Sequence, residues 1–422
     1  MTSAPPSNQG PLRITRPHGP PIGDVALERS KSLSNRALIV QALCPEPLPL
    51  LGLSQADDTR ILRALLQADS EIYDCGHGGT TLRFLAALLA FREGRQLLTG
   101  SERLCQRPIA PLVETLRLLG ADIRYAGREG FPPLDIRSPR RGATDRPVAI
   151  EAGISSQFIS ALLLVGPTLP EGLRLELRGK VASEPYVRMT TALMAHFGAP
   201  VHQSGHALYV PPGIYRAAPL EIEADWSGAS YFLSIAALAP GAEIRLHGLR
   251  PDSFQGDSVA AALAQDFGVS LRWEEGVLVA RNSGALPPEH FRHDFSDCPD
   301  LAQTFAALCA GKGIDGQFAG LGTLALKETD RTAALQIELA KFGYGFSRSA
   351  VDKHTWTGGR SGPLPEGPVA VETYEDHRMA LCLAPLCLVA GPVDIDRPAV
   401  VDKSFPGFWR ALSELGFSLS PL

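Results

Sequence analysis

Ser155-Ser156-Gln157-Phe158-Ile159-Ser160-Ala161-Leu162-Leu163-Leu164-Val165 opens on hydroxyls and an amide, then runs apolar on every side without a charge. A helix apolar all round is a buried helix, and a serine ahead of it can cap its first N–H groups. Runs of the same kind open at Lys31, Thr80, Ser227, Asp300 and Asp376, and after the first interval they recur at spacings of about 75 residues. A second register keeps the same beat: an amphipathic run ends in Leu-Gly or Phe-Gly, and a short alternating stretch follows. Its glycines are Gly120, Gly198, Gly268, Gly343 and Gly416, where a helix C-terminal residue of positive φ is expected. The chain therefore reads as six copies of a β-α-β-α-β-β unit. Helix N-termini carry unpaired N–H groups and partial positive charge, so several facing one cleft make an anion site.

The 422 residues exceed what one hydrophobic core normally serves, so two domains are expected, three copies in each. Crossings are placed near 29–30 and 222–225, giving one domain of 1–29 plus 224–422 and another of 30–223. Leu12 to Thr15 reads as a first strand belonging with the last three units. Arg137 to Asp145 and Ser361 to Pro368 read as loops, and residues 1 to about 10 as disordered. Net charge is −5, with Lys+Arg 40 against Asp+Glu 45 and no basic run. That argues against nucleic acid as the partner, so an anion must be held locally. With no long apolar segment and no export signal, the expected setting is the cytoplasm, without a membrane partner. The seven cysteines lie singly and mostly inside apolar runs, as small buried hydrophobes in a reducing compartment rather than disulfides or zinc ligands.

The helix starts hold the chemistry. Ser30-Lys31-Ser32-Leu33-Ser34-Asn35-Arg36 offers an ammonium, a hydroxyl and a guanidinium to a dianion. Gly76-His77-Gly78-Gly79-Thr80-Thr81-Leu82-Arg83 is a glycine-rich turn whose backbone an anion can approach closely, with neither a Walker nor a dinucleotide pattern. Arg107 stands just ahead of Pro108 at a helix start, and Ser155, Ser156, Gln157, Ser183 and Tyr186 are neutral donors. Asp300, the cluster Lys327-Glu328-Thr329-Asp330-Arg331, Asp376-His377-Arg378 and Asp402-Lys403 complete the set. Each alone also reads as an ordinary capped, solvated helix start. Together they place cations at corresponding corners of both halves, suiting substrates that carry phosphate and carboxylate.

SKSLSNRAL, GTTLRF, QRPIAPLVETLRLLGA, SSQF, SEPY, PDLA, KETDR, EDHRMA and DKSFP, in this order from Leu12 to Gly416, resemble the 5-enolpyruvylshikimate-3-phosphate synthase family. The resemblance implies an α/β (α+β) two-domain inside-out barrel of six repeated units, closing by a hinge over shikimate 3-phosphate and phosphoenolpyruvate. By motif position it implies that Lys31, Ser32, Arg36, Ser155, Ser156, Gln157, Ser183, Tyr186, Asp300 and Lys327 contact shikimate 3-phosphate. Lys31, Gly79, Arg107, Gln157, Arg331, Arg378 and Lys403 would contact phosphoenolpyruvate. Asp300 resembles the acceptor of the 5-hydroxyl proton and Glu328 the residue exchanging a proton at the methylene carbon, with Lys31 the third catalytic group. No metal or organic cofactor is implied; a monomer and glyphosate as inhibitor are, with Gly79 leaving that inhibitor room. His77, Phe84, Glu28-Arg29, Thr323 and Ala325 depart from the family pattern, and His77 and Thr323 stand outside the residues carried over. Two alternatives compete: the sister transferase acting on UDP-N-acetylglucosamine, and an inactive anion-binding scaffold. The sister has Lys-Asn at the first helix and a Cys five residues before Arg-Pro; here Ser32 follows Lys31, and Cys105 lies two residues before Arg107. Both acids a dead scaffold would have lost are present.

Overall fold

The structure is a computed structural model that describes residues 10–46, 50–139, 147–351 and 355–422. It divides into two compact units, one made of the chain up to Arg29 together with Glu223–Leu422, the other of Ser30–Ile222. Among the described residues there are five four-stranded sheets of one topology. In four of them the first strand pairs in parallel with the second, the second pairs antiparallel with the fourth, and the third lies at the far edge; in the fifth the strand that comes first in the chain takes the fourth place. Ile72–Asp74, Arg95–Thr99, Leu134–Arg137 and Asp122–Tyr125 lie side by side in that order, as do Val148–Glu151, Leu173–Arg178, Ala207–Val210 and His202–Ser204.

The other unit repeats the pattern with strands starting at Ile22 and at His290. Its last sheet is completed from the opposite end of the chain, because Leu12–Thr15 inserts between Val393–Ile395 and Ser418–Pro421. Arg13 fastens it with a two-pronged ion pair to Asp394, at 2.7 and 2.8 Å. The first repeat departs from the expectation of six equal copies. Where a sixth sheet is expected, only a parallel bridge between Leu51 and Glu221 is formed among the described residues.

The two helix types read from the sequence are both present. Trp226–Leu238 is buried at every residue, and Ser156–Val165 at all but Gln157. Their partners Ala260–Asp266 and Ala110–Leu118 bury one stripe only. Burying each large apolar side chain of these inner helices contributes about 1.5–3 kcal/mol. Gly120, Gly198, Gly268, Gly343 and Gly416 have φ of 100°, 80°, 81°, 67° and 88°, so each ends its helix in a conformation disfavoured by any Cβ. Residues 361–368 form a loop, whereas Arg137 ends a strand, and 140–145 of the other expected loop lie outside the described residues. Residues 1–9, read as disordered, also lie outside them. Among the described residues no helix is long and apolar enough to cross a membrane.

Candidate active site

In the unit containing Glu223–Leu422, charge converges on Arg331. Asp330 caps the helix Arg331–Ala340, accepting from the Thr332 and Ala333 N–H groups at 3.1 Å, so Arg331 leads the helix with its side chain buried. Its Nε donates to Asp376 Oδ2 at 2.7 Å, one Nη to Glu328 Oε2 at 2.9 Å and the other to Asp300 Oδ1 at 3.0 Å. One guanidinium thus gathers three carboxylates from three segments. Lys403 Nζ donates to the other Glu328 oxygen at 2.7 Å. Arg378 meets Asp300 Oδ2 at 2.8 Å and donates to the Tyr231 hydroxyl at 3.0 Å, and Lys327 Nζ lies 3.9 Å from Asp300.

Burial pushes the Asp300 carboxyl up, but Arg378, Lys327 and Arg331 outweigh it and hold the group well below the usual carboxylate range. The reading of Asp300 as a helix cap needs correction. It sits inside a single 3₁₀ turn, Pro299–Leu301, ahead of the helix Ala302–Lys312, and three side-chain cations favour its ionised form. Ser227 is likewise not the helix start: Asp225 caps that helix, and the Ser227 hydroxyl donates to buried Asp257. Burial first, and then the nearby charge of Asp300, push Asp257 up to about 7 against Arg378 and Ser227. The folded state therefore holds this proton more tightly than an unfolded Asp of 3.8 does. That contribution to stability is full below the unfolded value and is lost as pH rises through the folded one. Denaturant midpoints should accordingly fall between about pH 5 and about pH 8 in the parent and change less in Asp257→Asn. Equal slopes would count against a protonated Asp257.

In the unit Ser30–Ile222, four helices bring their first turns together. Ser30 caps Lys31–Leu43, and Lys31 Nζ donates to Asp58 at 3.0 Å. Arg36, five residues on, is 1% exposed. It donates to the Thr190 and Ser160 hydroxyls at 2.7 and 3.2 Å and to the Ser32 and Tyr186 carbonyls at 2.9 and 3.3 Å, beneath the faces of Phe84 and Tyr186. All four partners are neutral, and burial lowers its pKa to about 10. A buried cation surrounded by neutral groups favours a nearby anion. The part-exposed Ser32 begins the same helix. Ser155 caps Ser156–Val165 by accepting from the Gln157 N–H, and the Gln157 amide donates to the Thr80 hydroxyl at 3.2 Å, joining this helix to Gly79–Leu89. Ser183 precedes Glu184–His196 at φ 55° without capping it, and Tyr186 follows in the first turn. A left-handed serine with its hydroxyl unused by the helix is strain of the kind found at functional sites.

Gly79 faces Arg107 and Arg83. A Cβ there would lie 2.8 Å from Arg107 Nη1 and 2.9 Å from Arg83 Nη1, so both guanidinium groups approach the helix start only because the residue is glycine. Arg107 does not lead its helix directly: Ile109 is the cap and the helix is Ala110–Leu118. Gly79→Ala should leave the fold intact, since flexible side-chain ends can give way. Its effect should be on an anion at this turn, and a Kd or KM for that anion raised about tenfold would correspond to about 1.4 kcal/mol. Unchanged values would mean that the arginines do not serve this turn.

Asp58, Asp376, Arg83, Tyr231 and Asp257 join these clusters without having been carried over as site residues. Arg83 and Asp376 stood in quoted motifs, but nothing in sequence marks Asp58 as the partner of a lysine 27 positions away. Thr323, set aside earlier, has a buried hydroxyl with no hydrogen-bond partner among the described residues, and His77 is exposed.

The family model for EPSP synthase (3-phosphoshikimate 1-carboxyvinyltransferase) matches residues 60–412. A 3-phosphoshikimate 1-carboxyvinyltransferase of Bacteroides fragilis (strain YCH46) is 42% identical over 397 residues, spanning 94% of this chain and 95% of the relative. One from Neisseria gonorrhoeae is 33% identical, spanning 93% and 95%. A solved EPSP synthase of Acinetobacter baumannii has the same fold, with a TM-score of 0.74 at 20% identity over 97% of this chain and 100% of its own. With a family match over most of its length and relatives above 30% identity along nearly all of it, this chain belongs to the EPSP synthase (3-phosphoshikimate 1-carboxyvinyltransferase) family.

Proposed function

We infer that this chain transfers the enolpyruvyl group of phosphoenolpyruvate to the 5-hydroxyl of shikimate 3-phosphate, releasing phosphate, and that the two polar clusters do the work. The observation that carries the assignment of roles is the grip of Arg331 on both Asp300 and Glu328, which puts two carboxylates of opposite task around one cation. Lys31, Ser32, Arg36, Ser155, Ser156, Gln157, Ser183, Tyr186 and Lys327 hold shikimate 3-phosphate. Lys31, Gly79, Gln157, Arg107, Arg331, Arg378 and Lys403 hold phosphoenolpyruvate.

Glu328 gives a proton to the methylene carbon, the 5-hydroxyl attacks the cationic centre, and Asp300 takes the hydroxyl proton. The product is a tetrahedral phospho-ketal. Return of a methyl proton to Glu328, with phosphate leaving and taking up the proton that Asp300 holds, regenerates the double bond as an enol ether. Without substrate Asp300 is held ionised by its cations, and Glu328 is ion-paired with Arg331 and Lys403. When a substrate phosphate and carboxylate take up Arg331, Arg378 and Lys403, those cations stabilise the acids less and their proton affinity rises. The same cations then stabilise the departing phosphate. On this reading the fold is the family's inside-out barrel, three repeats per unit, supported by the shared topology of the five sheets and by inner helices buried all round.

The test is phosphate release with shikimate 3-phosphate plus phosphoenolpyruvate, beside UDP-N-acetylglucosamine plus phosphoenolpyruvate and phosphoenolpyruvate alone. Release only in the first mixture is expected. Release only with the nucleotide sugar would transfer the reading to the sister enzyme, and release in none would leave an anion-binding scaffold.

A further inference from the structure

The turn that delivers Asp376 and Arg378 is bent: Tyr374 and Glu375 have φ of 54° and 56°. Two successive side-chain-bearing residues in the left-handed region persist only where the surroundings over-determine them. Here the surroundings are built on Glu338, which is fully buried near the end of the helix Arg331–Ala340. Glu338 Oε1 accepts from the Tyr374 hydroxyl at 2.8 Å, and Oε2 from the Glu372 N–H at 3.2 Å. Lys341 Nζ donates to both oxygens, at 2.9 and 2.8 Å, and to the Ala370 carbonyl at 3.0 Å. Asp396 accepts from the Thr373 N–H, and the Asp376 N–H closes the turn on the Thr373 carbonyl, both at 2.9 Å. One helix therefore grips one segment twice: its first residue, Arg331, holds Asp376, and its eighth, Glu338, holds Glu372 and Tyr374. Glu338 touches none of the groups assigned to substrate, so the chemistry leaves this buried carboxylate without a task.

We propose that Glu338 is a positioning residue for the phosphoenolpyruvate end of the site, latching Tyr374 and Glu372 so that the strained turn sets Asp376 and Arg378 about Arg331. The inference rests on the enolpyruvyl-transfer reading for what the placed groups do, but the latch itself is testable without substrate.

Tyr374→Phe removes one hydroxyl and keeps the ring; Glu338→Gln keeps the volume and loses the charge. In both, the amides of 372–378 should exchange with deuterium faster in the ligand-free protein. KM for phosphoenolpyruvate should rise about threefold to tenfold in Tyr374→Phe, the equivalent of roughly one hydrogen bond. Affinity for shikimate 3-phosphate should stay within about twofold in that variant, because every donor assigned to that substrate lies outside 370–378. A melting temperature that falls while exchange at 372–378 and KM hold would make the contact merely structural and overturn the proposal. If the parent protein releases no phosphate, enolpyruvyl transfer fails but the exchange comparison still decides the latch. Glu338→Ala should show the same pattern more strongly; should it fail to fold, the other two variants carry the test.

Discussion

Replacing Glu328 by Gln should lower turnover by about 10²–10⁴-fold, the range general acid–base groups supply, while affinity for shikimate 3-phosphate stays unchanged. The amide keeps the shape and one acceptor for Lys403 or Arg331, now 2.7 and 2.9 Å away, so the fold should survive. What it cannot do is give up and retrieve a proton. The same variant should fail to exchange solvent deuterium into the methylene group of phosphoenolpyruvate, and titration calorimetry with shikimate 3-phosphate would report the intact affinity. Parental turnover in Glu328→Gln would remove this residue from the proton-transfer role and leave Asp300 as the acid of first interest.

The largest stability effect is expected at Arg331. Arg331→Met keeps much of the volume but leaves Asp376, with no solvent exposure, facing no guanidinium. Removing one partner of a buried ion pair costs about 3–5 kcal/mol, read as a lower denaturant midpoint. Asp300 and Glu328 lose less, because Arg378 and Lys403 still hold them. A midpoint within about 0.5 kcal/mol of the parent's, the size of an ordinary surface change, would mean the cluster is not held by this arginine.

Much of the local architecture was legible because it rests on short-range physics. A Leu-Gly or Phe-Gly after an amphipathic run marks a left-handed helix end from two residues alone, and all five glycines so marked have positive φ. Helices apolar on every side could be read as inner helices without knowing their partners. The candidate site was legible as a set of residue types at helix starts, and its grouping less so. That Arg36 would be buried among hydroxyls and carbonyls depends on Thr190 and Ser160, 154 and 124 positions away. Asp300 looks like a cap in sequence, yet three residues of 3₁₀ turn displace it and its state is set by three cations from two other segments. The missing regularity of the first sheet, reduced to the Leu51–Glu221 bridge among the described residues, has no short-range signature. Nor has Asp257, whose proton is held by burial rather than by any neighbour in sequence.

The strand Leu12–Thr15 lies between Val393–Ile395 and Ser418–Pro421, and this imposes a timetable on synthesis. A nascent chain leaves the ribosome from its N-terminus, so the partners of this strand are made about 380 to 400 residues after it. The unit Ser30–Ile222 has all its own residues once position 222 has emerged, and can fold first. At about 5–20 residues per second residues 223–422 take roughly 10–40 s to appear, during which the early strand waits with both edges unpaired. Such an edge is a template for wrong pairing. Arg13, destined for Asp394, keeps an unneutralised charge on it through that interval, which discourages association until the last sheet can close.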